Sequence, residues 1–484
     1  METKNKVIRN FIIIFLLMCC ENSYPQAITW GKILNNTHYC DLYKIQQTSD
    51  GGYITVGEDK IGIDYKIFVS KFNRYGDSVW SKYYDLNVNA DYRGFWVKET
   101  YDKGYIISGS GDGPLTDSYL MKTDSLGNIQ WVKVFSTPAF DQGTCVKELP
   151  DKGFILLNRT APFPNNRIML IRTDSSGNTL WSKIYGDYHF GLEVQYIENS
   201  GYIIAGFRRF EQENLSRLYL LRTDLSGDTI WSKLFYEFNH SAAYSIDLTE
   251  DRGFIIGGVV DTSLNFHLNS YILKTDSMGN IQWQQRYANG YNETCYSIRR
   301  YKKTGYIFCG FSDSLQNGFQ RGIIRKIDLV GNILYEKYFR FGGIDNRFHS
   351  IESTYDNGLI ICGGISTSNS AKGLVIKTDS TGEIYPVEVQ NSNQQVSIRF
   401  ELYQNFPNPF NPITTINFEL LKAAQIQLIV YNVEGKKIKI LIKGNKTAGS
   451  HSIKFDGTNY PTGIYFYKLI SGGSEIVKKM ILIK

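Results

Sequence analysis

The groups in this 484-residue chain that could do chemistry are six histidines, five cysteines after residue 27 and a scatter of carboxylates. His38, His189, His240, His267, His349 and His451 share no metal-ligand spacing, and no HExxH, G-x-S-x-G, phosphate-loop or dinucleotide fingerprint occurs. Cys40, Cys145, Cys295, Cys309 and Cys362 contain no CxxC pair, and their number is odd. They read as small buried filler rather than a zinc site or a disulfide framework. No catalytic residue, metal or cofactor is expected. What remains is a set of polar and aromatic residues in short links of variable sequence: Asp91, Tyr92, Arg93, Tyr188, His189, His240, Tyr291, Asn292, Asp345, Arg347 and His349. Variable loops on a rigid scaffold commonly carry ligands, so these residues form the candidate binding face. Asp91, Asn292 and Asp345 each stand six residues before a periodic Val or Ile, and their chemistry also suits Asx turns.

The scaffold that would present them is a repeat. The stretch Lys122 to Trp131 returns in close variants, and its turn glycine recurs at Gly76, Gly127, Gly177, Gly227, Gly279, Gly331 and Gly382, at intervals of 50 to 52 residues. Each unit holds four short apolar or alternating segments, in the second copy near 95–99, 105–109, 118–122 and 129–135. Such a unit repeated seven times predicts an all-β fold, a seven-bladed β-propeller over residues 28–385. Asp-x-Gly turns such as Asp102-Lys103-Gly104 join the first two strands, and Asp124 and Gly127 shape the hairpin between the third and fourth. Ile45, Val97, Val146, Val194, Ile246, Ile298 and Ile351 are expected in the core between blades. Trp80, Trp131, Trp181, Trp231 and Trp283 are expected to pack against the neighbouring blade.

Two further features are periodic. A basic residue stands five before each turn glycine, as at Lys71, Lys122 and Arg172, and the Asp or Asn two residues on is its expected ion-pair or polar partner. The last copy lacks a clean fourth strand because Pro386 falls within it, whereas an unmatched copy, Ile28 to Lys32, begins the body of the chain with Trp30 fifty residues before Trp80. Residues 28–34 are therefore expected to close the ring.

The D-x-x-G-N-x-x-W hairpins resemble those of quinoprotein-like and related secreted bacterial propellers. The Asp and Gly here stand one residue closer than in the quinoprotein repeat, and no quinone cofactor is expected. The body is close to neutral, while residues 386–484 carry twelve Lys and Arg against six Asp and Glu. A neutral body excludes a nucleic-acid surface, which needs clustered cations. Lys4, Lys6 and Arg9 precede an apolar run from Phe11 to Cys20, too short to span a bilayer, so residues 1–27 read as a secretory signal peptide. No transmembrane segment is expected in the mature chain, which should be a monomer.

After a polar linker at 386–401, residues 402–484 read as a small β-sandwich. Their motifs, Asn405-Phe406-Pro407-Asn408-Pro409-Phe410-Asn411-Pro412, Val430 to Gly435, Gly463-Ile464-Tyr465 and the closing run from Lys478 and Lys479, closely resemble the type A sorting domain of the type IX secretion system. That resemblance implies an Ig-like sandwich recognised by the outer-membrane translocon, and a protein that is secreted or displayed on the cell surface. The expected role is a non-catalytic binding module for a glycan or a protein. The alternative is an extracellular propeller enzyme, either a polysaccharide hydrolase or lyase or a quinone-dependent oxidoreductase.

Overall fold

A computed structural model describes residues 28–34, 39–86, 91–112, 116–161, 166–261, 267–287, 292–313, 319–341, 344–367, 370–384, 400–420, 423–433, 436–471 and 474–484. The expected leader, most of the expected linker, Tyr291 and Gly435 lie outside these residues. The chain divides into two compact units, residues 1–389 and 390–484. Every regular element among the described residues is a β-strand. No helix there is long and apolar enough to cross a membrane.

In the larger unit, groups of four antiparallel strands follow the repeat. Asp91–Glu99, Tyr105–Asp112, Thr116–Thr123 and Ile129–Phe135 pair in chain order, as do the groups that begin at Cys40, Phe140 and Ser297. The eight strands from His189 to Tyr287 form two such groups, joined by a single parallel bridge between Ser216 and His240. The last group takes its fourth strand from the other end of the chain. Trp30–Leu34 runs antiparallel to Ala371–Thr378, with Trp30 opposite Lys377. First strands touch first strands from one group to the next, and Asp345–Ser353 in turn touches Cys40–Gln47, so the series runs back on itself.

Local chemistry explains each group. Asp124 accepts the backbone N–H of Leu126 at 2.9 Å and of Asn128 at 2.8 Å, which fixes the hairpin that Gly127 completes with φ +75°. The next strand then carries Trp131 to the neighbouring group, where it meets Gly177 and the ring of Phe154. The periodic aliphatics from Ile45 to Ile351 are fully buried in the clusters between groups. All five described cysteines are buried and free.

The expected partner of the periodic cations needs correction. Lys122 does not pair with Asp124, whose carboxylate is engaged by its own turn. Lys122 reaches Asp102 of the Asp-x-Gly hairpin at 2.8 Å and donates to the Thr123 carbonyl at 3.0 Å. Lys71 meets Asp50 at 2.8 Å, Lys274 meets Asp251 at 2.7 Å, Lys377 meets Asp356 at 3.0 Å, and Arg172 meets Asp151. Alternation along a strand places i and i+2 on one side only while the chain stays extended, and Asp124 already lies in the turn. The pairing therefore ties the two hairpins of one sheet together. Where the hairpin has no Asp, Arg222 donates to the Ser200 carbonyl at 2.8 Å and the Lys326 ammonium sits 4.0 Å from the centre of the Tyr301 ring.

In the smaller unit, Phe400–Leu402, Ile413–Leu420 and Gly449–Asp456 form one sheet, and Lys437–Lys446, Ala424–Asn432, Gly463–Ser471 and Ser474–Leu482 form the other. Phe418 and Phe455 from the first share one core with Leu428, Tyr467 and Met480 from the second. Phe400, within the segment expected as linker, pairs with Leu420.

Candidate functional site

The first strand of nearly every group carries a bulge two residues before its buried aliphatic. Register shifts fall between Leu42 and Lys44, Gly94 and Trp96, Gly143 and Cys145, Gly191 and Glu193, Ala243 and Ser245, and Phe348 and Ser350. A bulge re-aims the extra side chain. It also presses the first strand onto the second, and six second strands carry glycine there: Gly57, Gly109, Gly206, Gly258, Gly310 and Gly363. A Cβ at any of them would collide with a carbonyl of the bulged strand. The bulged residues are Tyr43, Phe95, Thr144, Leu192, Tyr244 and His349, and Tyr296 holds the equivalent place in the sixth group.

All seven line one cavity of about 250 Å³. Five of them are rings in an unbroken arc. Phe95 lies 5.4 Å from Tyr43, Tyr43 stacks on His349 at 5.5 Å, His349 meets Tyr296 edge-on at 5.5 Å, and Tyr296 lies 5.5 Å from Tyr244. Leu192, Thr144 and Gln142 complete the wall. His349 Nδ1 is 3.0 Å from the Leu42 carbonyl and 3.5 Å from Asp41 Oδ1, and the Tyr43 hydroxyl donates to Glu58 at 2.8 Å.

Beside the arc lies a buried ion network. Lys44 pairs with Glu352 at 2.8 Å, and Arg299 bridges Glu352 at 3.1 Å and Glu193 at 3.0 Å. Arg299 also donates to the Ser245 hydroxyl at 2.8 Å, and that hydroxyl donates to Glu193 at 2.8 Å. The ammoniums of Lys44 and Lys147 stand 4.5 and 4.6 Å from the centre of the Trp96 ring. Burial works to raise the pKa of Glu352, but Lys44 and Arg299 overrule it and hold the carboxyl at about 2. Glu193 is likewise held down against burial, by Arg299, Lys147 and Lys44. Burial pushes Asp247 up. Glu193 and Glu352 are therefore ionised and neutralised, which suits neither proton donation nor nucleophilic attack.

The residues singled out from sequence go to several places. His349 lines the cavity formed at the bulges, and His240 lines a second cavity. Asp91, Asn292 and Asp345 accept the backbone N–H of Tyr65 at 2.7 Å, Leu268 at 2.9 Å and Gln320 at 3.1 Å, each on the preceding group, and so act as latches between groups. Tyr92 packs edge-on to Tyr119, and Arg93 pairs with Glu58 at 2.8 Å. The Tyr188 carbonyl accepts the Arg209 N–H at 2.8 Å. His189 is buried against Tyr219, with Nδ1 2.7 Å from the Asp187 carbonyl. Arg347 lies over the Phe311 ring and 3.6 Å from Asp345. Tyr43, Phe95, Tyr244 and Tyr296 lie outside the set that the sequence singles out. Their signal is an aromatic residue two positions before the periodic aliphatic.

The tail motif is built into its own sandwich. Asn405 is buried and donates to the Pro407 carbonyl at 3.0 Å and to the Thr414 hydroxyl at 2.9 Å, while its backbone N–H donates to the Tyr467 hydroxyl at 2.8 Å. Asn408 Oδ1 accepts the Ile481 N–H at 2.9 Å, and buried Phe410 bonds the Ile481 carbonyl through its backbone N–H. Pro412 accepts from Gly457 at 2.7 Å, and Tyr465 donates to the Pro461 carbonyl at 2.6 Å. Pro409, Asn411 and Lys479 are exposed, Lys478 is half-buried, and Gly463 opens a strand. Residues 404–484 match the model of the secretion system C-terminal sorting domain. The tail is a type IX sorting domain. It marks the chain for export to the cell surface or beyond.

No curated protein matches the chain. Similar solved structures include PorZ, described as an essential bacterial surface component of the type-IX secretion system of Porphyromonas gingivalis, at 12% identity and TM-score 0.45. That likeness covers 93% of this chain, which spans 60% of the PorZ chain. Others are Sqt1 from Chaetomium thermophilum, at 10% identity and TM-score 0.42 over 72% of this chain and 99% of that one. The polysaccharide lyase Uly1 stands at 8% identity and TM-score 0.46 over 74% of this chain and 94% of that one. Likeness of this degree says nothing of ligand or activity.

Proposed function

We propose that residues 28–385 are a seven-bladed β-propeller, closed by the strand 30–34, that serves as a non-catalytic glycan-binding module. Residues 402–484 are its Ig-like export domain, and residues 1–27 carry it to the periplasm first. The closed series of first-strand contacts supports the propeller. The observation that carries the binding role is the arc of five rings facing one axial cavity. Ring faces suit the C–H faces of a sugar, and the Tyr hydroxyls, Thr144 and Gln142 supply hydrogen bonds at the edges. Lys44 and Arg299 against Glu193 in the same lining disfavour a cationic guest.

The enzyme reading has one observation on its side: His349 stacks on Tyr43 within reach of Asp41. A glycan array with the purified mature chain separates the two. Binding without product formation, weakened about tenfold or more by Tyr296→Ala (~1.4 kcal/mol), is expected. Turnover of a bound glycan that stops in His349→Ala would overturn the binding role, and binding only to proteins would overturn the glycan.

A further inference from the structure

Tyr244 lines two cavities. It belongs to the arc around the first cavity, and it also borders a second cavity of about 390 Å³, lined by Phe207, Ser216, His240, Ala242 and Asp261. The first sits at the mid-strand bulges, and the second lies nearer the end of the sheets where the first strands begin. His240 and Ala242 precede the bulge on the strand His240–Leu248, and Asp261 ends the strand paired with it, opposite His240. The second cavity, like the first, sets an aromatic surface beside polar groups. It has an aromatic wall in Phe207, stacked on Phe190 at 4.4 Å, and polar groups in Ser216, His240 and Asp261.

We infer that the two cavities are consecutive subsites for one chain-like ligand, an oligosaccharide that crosses Tyr244 with one sugar held in the axial arc and the next units against Phe207. This rests on the glycan reading of the axial cavity. It adds that recognition is of a chain, and that His240, Phe207 and Asp261 select for length rather than for the first sugar.

The test is calorimetry on the full mature chain with cello-, xylo-, laminari-, manno- and galacturono-oligosaccharides, each from one to six units. Affinity for the series that binds is expected to rise at least tenfold from one unit to three or four and then level off. Phe207→Ala and, independently, His240→Ala should abolish that rise while leaving single-sugar affinity unchanged, and Tyr244→Ala should weaken both. Affinity independent of length, or an equal loss for short and long ligands in both Phe207→Ala and His240→Ala, would overturn the second subsite and leave the axial site standing. Failure of every series to bind would overturn the axial site itself, and the second subsite with it.

Discussion

The indole of Trp30 lies over Gly76 so closely that a Cβ on that glycine would stand 2.5 Å from the indole Cδ2. Its Nε1–H donates to the Arg74 carbonyl at 3.2 Å. The same relation joins Trp80 to Gly127, Trp131 to Gly177, Trp181 to Gly227, Trp231 to Gly279 and Trp283 to Gly331, with Tyr335 over Gly382. A residue near the start of the chain thus occupies the place a final repeat would supply.

Trp30→Ala should lower unfolding free energy by about 3–5 kcal/mol, the usual loss for a large buried aromatic. Deletion of residues 28–34 should do more, because Ala371–Thr378 then loses its strand partner. Urea unfolding measures both. An unchanged midpoint for the deletion would show that the strand does not close the ring.

Gly127→Ala should be more destabilising than Gly62→Ala. Both glycines have positive φ, +75° and +67°, which for alanine costs about 1–2 kcal/mol. Only Gly127 has an indole 2.9 Å from the new methyl, whereas nothing lies within 4 Å at Gly62. The expected excess is about 1–3 kcal/mol. Equal losses would remove the packing role of the turn glycine.

Glu352→Gln should destabilise the protein at pH 7 by about 3 kcal/mol, because Lys44 and Arg299 lose their shared counter-charge. The folded carboxyl titrates at about 2, below the ordinary value of ~4.3 expected when unfolded. Its stabilisation is therefore whole above about pH 4.3 and declines as pH falls toward 2. Asp247, raised by burial and to a lesser degree by Glu352 itself, acts in the opposite sense. Melting temperatures across this range should converge for variant and parent. A constant gap would separate Glu352 from the network.

A chain ending before residue 404 should be retained within the cell envelope, since the sorting domain begins there. Fractionation with antibody against the body of the protein reads this directly. Normal appearance at the surface or in the medium would mean that export does not use the tail.

Sequence carried the repeat, the hairpins and the Trp positions because each depends on local chemistry: an Asx turn, a positive φ, an alternating strand. It carried the tail for the same reason, through ordered Pro, Asn and Gly positions. The candidate site was less legible. The links around Asp91, Asn292 and Asp345 vary in sequence yet serve as latches, because a short side-chain acceptor suits a backbone N–H on the adjacent sheet as well as it suits a ligand. Tyr43, Phe95 and Tyr244 are turned toward the shared cavity by a bulge, and a bulge depends on pairing across two strands. Lys44 and Glu352, 308 residues apart, meet only when the series of sheets comes full circle.

Pairing of Trp30 with Lys377 brings together residues about 350 apart in sequence, a closure that costs about 5 kcal/mol of chain entropy before it is rewarded. So non-local a contact predicts slow folding with a late final step. No nascent or C-terminally truncated chain can complete it until residue 378 is available, and until then Trp30–Leu34 has no strand to pair with. The seam therefore reports that the chain is whole: only a full-length body reaches its most stable state, and a fragment stays open to pairing with other strands and to proteolysis.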